Sequence, residues 1–219
     1  SLGRTTTGGY NTAIGANAGA NAINVSNVFV GFEAGEKFGH GQHCVAIGRE
    51  TLKGATFTEG GGAYNNDPTV DHTADARIIA GLVVSGSGIP PGSYIASITS
   101  GTQFELNQAT TGGAKTSQTL TFYENQGDYN IAIGSYALDA TTSGTGNMAV
   151  GHYAGSAINS GAYNVCIGNN AGLVLTDNTY NIAIGNNALD AANTGEHYNI
   201  AIGANALGTE TSGADGCVA

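Results

Sequence analysis

The densest collection of chemically capable side chains lies between Asn66 and Asp75, where Asp67, Asp71 and Asp75 accompany His72. Carboxylates and an imidazole in one short stretch can ligate a hard cation or accept hydrogen bonds from ligand hydroxyls. The order of residues does not favour the cation. Neither the EF-hand series nor the glycine–aspartate repeat of calcium-binding β-rolls is present. A solvated acidic loop has the same composition. Downstream, Tyr94 offers an aromatic ring on which a sugar can stack. Asp71, His72, Asp75 and Tyr94 are therefore the candidate receptor contacts, and no metal or other cofactor is expected.

Other reactive residues are sparse. His40 and His43 are the one close histidine pair. Copies of one histidine around a threefold axis can hold a metal, but a hydrogen-bonded or exposed imidazole accounts for the pair more simply. Cys44, Cys166 and Cys217 are odd in number and lack a Cys-x-x-Cys spacing, which indicates neither a disulfide framework nor a zinc site. No Gly-x-Ser-x-Gly, His-Glu-x-x-His or phosphate loop occurs. Carboxylate pairs for glycoside cleavage can come from different chains, yet most of the 16 Asp and Glu stand in variable turns. No catalytic residue is assigned, and the chain reads as something other than an enzyme.

These residues ride on a repeat. Ala-Ile-Gly or a near copy recurs with its glycine at Gly15, Gly31, Gly48, Gly134, Gly151, Gly168, Gly185 and Gly203. Apart from one gap of 86 residues, the spacing is 16 to 18. A period this short marks a solenoid in which neighbouring coils bury each other. Three residues and one residue before the glycine stand branched or long apolar side chains, as in Ile182 and Ile184. Between them stand small ones: Ala13, Ala46, Ala132, Ala149, Cys166, Ala183 and Ala201, with Phe29 the exception. Alternate strand residues share a face, so both faces are apolar and both need cover. The interior of the coil covers one. A second and third copy of the chain would cover the other, and the small residues would let those copies approach closely. The small set is accordingly assigned to the trimer interface or the coil core.

Asparagine precedes the strand in seven of the eight repeats, with Cys44 in the eighth, and stacked coils would set such residues into ladders. A tyrosine often comes before it, as at Tyr163, Tyr180 and Tyr198, and reads as a corner residue packing on the next coil. After the glycine, Ala followed by Leu or Gly suggests a weaker strand or a turn. Eight coils would span about 38 Å at 4.8 Å each.

The strand–glycine–turn template resembles the head repeats of trimeric autotransporter adhesins, which fold as a parallel β-roll; Val45-Ala46-Ile47-Gly48 carries their core motif. Tyr180 to Leu189 is similar to shaft repeats of bacteriophage tail fibres. The likeness covers about 150 of the 219 residues, and it implies a homotrimeric fibre without supplying any catalytic residue.

The 86-residue gap holds a segment of different character, taken as residues 59–127 between solenoid parts 1–58 and 128–219. Ile78 to Val84, Tyr94 to Ile98, Gln103 to Leu106 and Thr119 to Phe122 read as short strands of a small inserted β-domain. Large insertions in solenoids often carry binding. The net charge of −10 argues against nucleic acid or an anionic membrane as partner. No run approaches the roughly 18 apolar residues that cross a bilayer. The chain opens almost directly in a repeat, as a segment of a longer filament would. The expectation is an all-β homotrimer in a virion tail fibre, attaching to a host-surface glycan or protein. The alternatives are a bacterial adhesin head at the cell surface and a tailspike glycan hydrolase.

Overall fold

The computed structural model describes residues 9–20, 22, 25–39, 41–123, 127–191, 195, 197–208 and 216–219. Among them there are only β-strands and turns, with no helix. In chain order the strands are β1 (Thr12–Ile14), β2 (Val28–Val30), β3 (Val45–Ile47), β4 (Thr56–Asn65), β5 (Thr69–Asp71), β6 (Val83–Ser85) and β7 (Ile95–Ser100). There follow β8 (Gln103–Leu106), β9 (Ala114–Tyr123), β10 (Ile131–Ile133), β11 (Met148–Val150), β12 (Val165–Ile167), β13 (Ile182–Ile184) and β14 (Ile200–Ile202). Contacts divide the chain into two compact units, residues 1–55 with 126–219, and residues 56–125.

The first unit is a parallel β-solenoid. Its eight strands stack in the order β1-β2-β3-β10-β11-β12-β13-β14, each motif tripeptide pairing with the next in register. The sheet runs straight across the long gap, because Ala46 on β3 pairs with Ala132 on β10. The chain end adds a further rung: Val218 bridges to Ile200, and the Cys217 amide donates to Asn199 Oδ1 at 2.8 Å. Cys217-Val218-Ala219 thus repeats Cys44-Val45-Ala46, a likeness the sequence reading passed over.

Among the described residues each coil has one strand and then turns; of the two readings for the segment after the glycine, a weaker strand or a turn, the turn is found, with alternate residues there at positive φ, for example Asn187 and Leu189. The motif glycine is dictated twice over. Gly48 has φ of 135°, and a Cβ there would lie 2.8 Å from the Gly134 carbonyl of the next coil.

The small residues, assigned to the trimer interface or the coil core, lie in the core, which corrects the expectation that their face is open to another copy. Ala46, Ala132, Ala149, Cys166, Ala183 and Ala201 are fully buried inside the coil, with Ala13 packed against the same core. They meet the small residue three places after the glycine, as at Ala137, Ala154, Ala171 and Ala188. With a single short strand per coil, the lumen holds the small strand residues and about one large side chain per coil. Volume is balanced locally. Where the fourth residue after the glycine is Leu (Leu52, Leu138, Leu189), it fills the lumen itself. At three of the four coils where it is Gly, a large side chain three residues later takes the space: Gly35 with Phe38, Gly155 with Ile158 and Gly172 with Leu175; after Gly19 stands Ala22, and the Phe29 ring lies against Gly19 instead. Phe29 fits in a strand because Gly19 and Gly35 face it; a Cβ on either would strike its ring.

The branched residues point outward. Ile14, Ile47, Ile133, Met148 and Ile202 are exposed, and their column neighbours Val30, Val150, Ile167 and Ile184 are half-buried. They form two columns along the sheet, apolar throughout except for Thr12 on β1.

Asparagine ladders close the coils. Each side-chain oxygen accepts the backbone N–H of the equivalent residue one coil on: Asn130 from Asn147 at 2.9 Å, Asn147 from Asn164 at 3.0 Å, Asn164 from Asn181 at 2.9 Å. The amide nitrogen donates to a turn carbonyl, as from Asn147 to Gly161 at 2.8 Å. The ladder is therefore chiefly side chain to backbone, with side-chain links between Asn164 and Asn147 (3.1 Å) and between Asn181 and Asn164 (3.2 Å). At the coil where Asn is missing, the Cys44 sulfur takes the Asn130 N–H at 3.3 Å and faces the Gly127 carbonyl. The tyrosines stack as a corner column, with Tyr163, Tyr180 and Tyr198 centroids 5.1 and 5.3 Å apart and nearly parallel.

The second unit is a six-stranded antiparallel sheet in the order β6-β9-β4-β5-β8-β7, closed over a core that includes Val70, Phe104, Leu120 and Phe122. Its longest pair is β4 with β9, interrupted by bulges around Gly62. The strand expected from Ile78 to Val84 is confined to Val83–Ser85, because residues 78–82 run as a turn and irregular chain. β4 escaped notice because Glu59-Gly60-Gly61-Gly62 breaks its alternation.

Candidate functional site

The segment after β5 is held from both sides. β5 pairs with β4 and β8, which places Asp71 opposite Ala63 and Gln103. Asp71 accepts a hydrogen bond from Gln103 Nε2 at 2.8 Å. It lines a concavity of about 280 Å³ together with Tyr64, Asp67 and Lys115.

His72, the next residue, faces the opposite way, because alternate strand positions do. It is only 8% exposed, and its ring lies 5.2 Å from that of Phe104. Its backbone N–H is fixed to the Thr102 carbonyl at 2.9 Å. The ring Nδ1 lies 2.6 Å from the Thr73 carbonyl, an oxygen that can only accept, so Nδ1 carries the proton. In the neutral ring this leaves a lone pair on Nε2. That atom is buried and has no partner.

Thr73 also binds Glu59, which the sequence reading did not single out. Glu59 Oε1 accepts from the Thr73 N–H at 3.0 Å and from its hydroxyl, while Oε2 is buried without a partner. The signal was the glycine run after Glu59: it produces the bulge that turns this carboxylate inward. Native proteins pair most buried polar atoms, so two orphans on side chains sharing one threonine mark the place as unusual.

His72 and Asp75 line one cavity of about 350 Å³, with Ile78, Ile98, Ser100 and Gly101. Asp75 accepts from Arg77 Nη2 at 2.6 Å and from the Arg77 backbone at 2.9 Å. The Arg77 hydrogen bonds hold its carboxyl below the usual carboxylate range, so it is an anionic acceptor at neutral pH. Arg77 in turn lies over the Phe57 ring, 4.2 Å from its centroid. Of the four sequence candidates, His72 and Asp75 share a cavity, Asp71 belongs to the other, and Tyr94 lines neither. The Tyr94 backbone bonds Asn107 Oδ1 at 2.8 Å and bridges to Val83.

In the solenoid, Lys53 contacts Glu33 at 2.7 Å, Glu50 at 3.0 Å and Glu36 at 3.7 Å, tying two coils. Burial works against its charge, but the hydrogen bonds it donates to Glu33 and Glu50 outweigh that and hold the amine above its ordinary range. Among the described residues, no group of three or more His, Cys, Asp or Glu is placed to hold a metal. His40 lies outside the described residues, and His43 stacks on Tyr129 at 5.3 Å.

In comparisons with known proteins, no family model, no curated protein and no solved structure matched the chain.

Proposed function

We propose that the chain is a structural and adhesive segment of a homotrimeric fibre, a virion tail fibre in kind, that presents the unit of residues 56–125 for attachment to a host surface. The observation that carries this reading is the outward apolar stripe of the solenoid. Thr, Asn, Gly and Ser supply polarity elsewhere with little charge, whereas two columns of Ile, Val and Met, broken only by Thr12 on β1, run along one sheet face. Soluble monomers rarely leave a contiguous patch of that kind bare. Three copies meeting on this stripe form a rigid shaft, with the branched side chains as its shared core and the alanines inside each coil. A solenoid so repetitive suits a spacer, and the second unit, with its own core and cavities, suits recognition. A bacterial adhesin head would be built the same way.

The test is binding of the purified full chain to host cells and to an array of surface glycans. Saturable binding that is lost on deleting residues 56–125, with glycans recovered unchanged, supports attachment. Cleavage of the bound glycan would make the protein a tailspike hydrolase instead. No binding to any host component would reduce it to a spacer.

A further inference from the structure

Beyond the attachment reading, we propose that the corner column of the solenoid holds a slot for an arginine side chain of a partner protein, between the rings of Tyr129 and Tyr163. The column has one residue per coil, and on three successive coils these are Tyr129, Gly146 and Tyr163, each 17 residues from the next. The strands that follow them pair in register. The Gly146 N–H donates to the Asp128 carbonyl at 3.0 Å and the Tyr163 N–H to the Thr145 carbonyl at 2.9 Å, so the column runs unbroken through the glycine. Where adjacent coils both carry rings, the rings stack: His43 on Tyr129 at 5.3 Å, Tyr163 on Tyr180 at 5.1 Å and Tyr180 on Tyr198 at 5.3 Å. Gly146 omits one ring from this stack. Tyr129 and Tyr163 are thus each stacked on one face only among the described residues. Tyr180, stacked on both faces, is 48% exposed, against 60% for Tyr129 and 53% for Tyr163. A Cβ at Gly146 would lie 2.7 Å from Tyr163 Cδ1, so that ring borders the vacant place directly. Two coil spacings of about 4.8 Å set the two rings about 10 Å apart, which leaves room for one flat group between them.

The solenoid fills a place of this kind elsewhere, and it does so with a guanidinium. Phe32, Arg49 and Tyr136 stand on three successive coils, and the Arg49 guanidinium carbon lies 5.8 Å from the ring centroid of Phe32 and 5.8 Å from that of Tyr136. A guanidinium is flat, weakly hydrated and drawn to the electron-rich faces of aromatic rings. The charge of the chain favours the same occupant. Six Lys and Arg stand against 16 Asp and Glu, for a net charge of −10, which attracts a basic partner and repels an acidic one. Among the described residues the arginines are already engaged, Arg49 with Glu50 and Arg77 with Asp75 and Phe57. The guanidinium therefore comes from another protein. The slot lies outside residues 56–125, so it is a contact separate from the one that attachment assigns to that unit.

The experiment is carbon–proton NMR of the tyrosine rings in the full chain, assigned by single Tyr→Phe changes and titrated with acetyl-arginine amide, acetyl-lysine amide, methyl glucoside and phenol. The arginine compound should shift Tyr129 and Tyr163 saturably and move Tyr180 least. The lysine compound should bind more weakly, because its ammonium is compact and strongly hydrated. Tyr129→Leu and Tyr163→Leu should each weaken arginine about fivefold, the loss of one ring face. Gly146→Tyr completes the stack at a φ that Tyr163 and Tyr180 already adopt, and it should abolish the shifts. If Gly146→Tyr does not fold, the two leucine variants decide. Rings unmoved by arginine, or arginine affinity unchanged in the leucine variants or in a folded Gly146→Tyr, overturn the slot. Tighter binding of methyl glucoside or phenol than of arginine overturns it as well, by assigning the place to a sugar or to an aromatic side chain. Each of these failures leaves attachment through residues 56–125 standing, and loss of that attachment leaves the slot standing.

Discussion

Two kinds of residue carry chemistry that a bench measurement can read. Burial pushes the Cys44 and Cys166 thiols up to about 12, and Cys217 is the one cysteine with appreciable exposure. The thiolate is the reactive form. Iodoacetamide at pH 8 should therefore modify Cys217 alone in the native protein and all three after denaturation, as counted by mass spectrometry. Asp139 is the second case. Burial raises its carboxyl to about 6, Glu50 adds to the rise, and Lys53 opposes it. The folded state thus holds this proton more tightly than the unfolded chain, for which the value is 3.8. The destabilisation is absent below about pH 4, grows as pH rises to about 6, and is complete above that. Asp139→Asn should stabilise the protein by about 1 kcal/mol at pH 7, after allowance for solvent screening, and by nothing measurable at pH 4. Urea unfolding at the two pH values checks this. At this scale the sequence was a poor guide to the site. It offered four contacts because types and spacing were visible, but the placing of His72 and of the Glu59 carboxylate depends on a bulge and on Thr73, which bonds both side chains.

The elements were far more legible, because one coil repeats eight times and each copy votes on every position. Strand positions, the motif glycine and the asparagine ladder all follow from alternation and stacking. The orientation of the strand was not legible: with both faces apolar, alternation alone does not say which is inside. The width of the lumen decides it, and that depends on having one strand per coil. The exchange of Leu at one position for Gly with a large residue three places later was present in the sequence as a correlated pair, and it makes sense only once both are seen to fill the same lumen. Leu175→Ala should cost about 2–5 kcal/mol because Gly172 cannot fill the void. Asn164→Ala should cost about 1–3 kcal/mol by removing its hydrogen bonds with the Asn181 N–H and the Asn178 carbonyl. Both are read from denaturation midpoints at constant slope. In the second unit, strands bounded by Pro and Gly turns were visible, whereas β4 was hidden by its glycines and β5 by its length of three residues.

For the whole molecule, the register of β3 on β10 makes the solenoid sheet continuous without residues 56–125. Deleting them should leave a folded shaft with an unchanged cooperative transition by circular dichroism; a collapsed signal would mean that the segment nucleates the coils. The central claim concerns the outward stripe, and light scattering coupled to size exclusion at micromolar concentration tests it most directly. The unaltered chain should elute at three chain masses. Ile133→Asp should elute as a folded monomer, because the charge sits on the outward column and leaves the coil interior untouched. A folded, monodisperse monomer of the unaltered chain, or a trimer that Ile133→Asp leaves whole, would contradict the account.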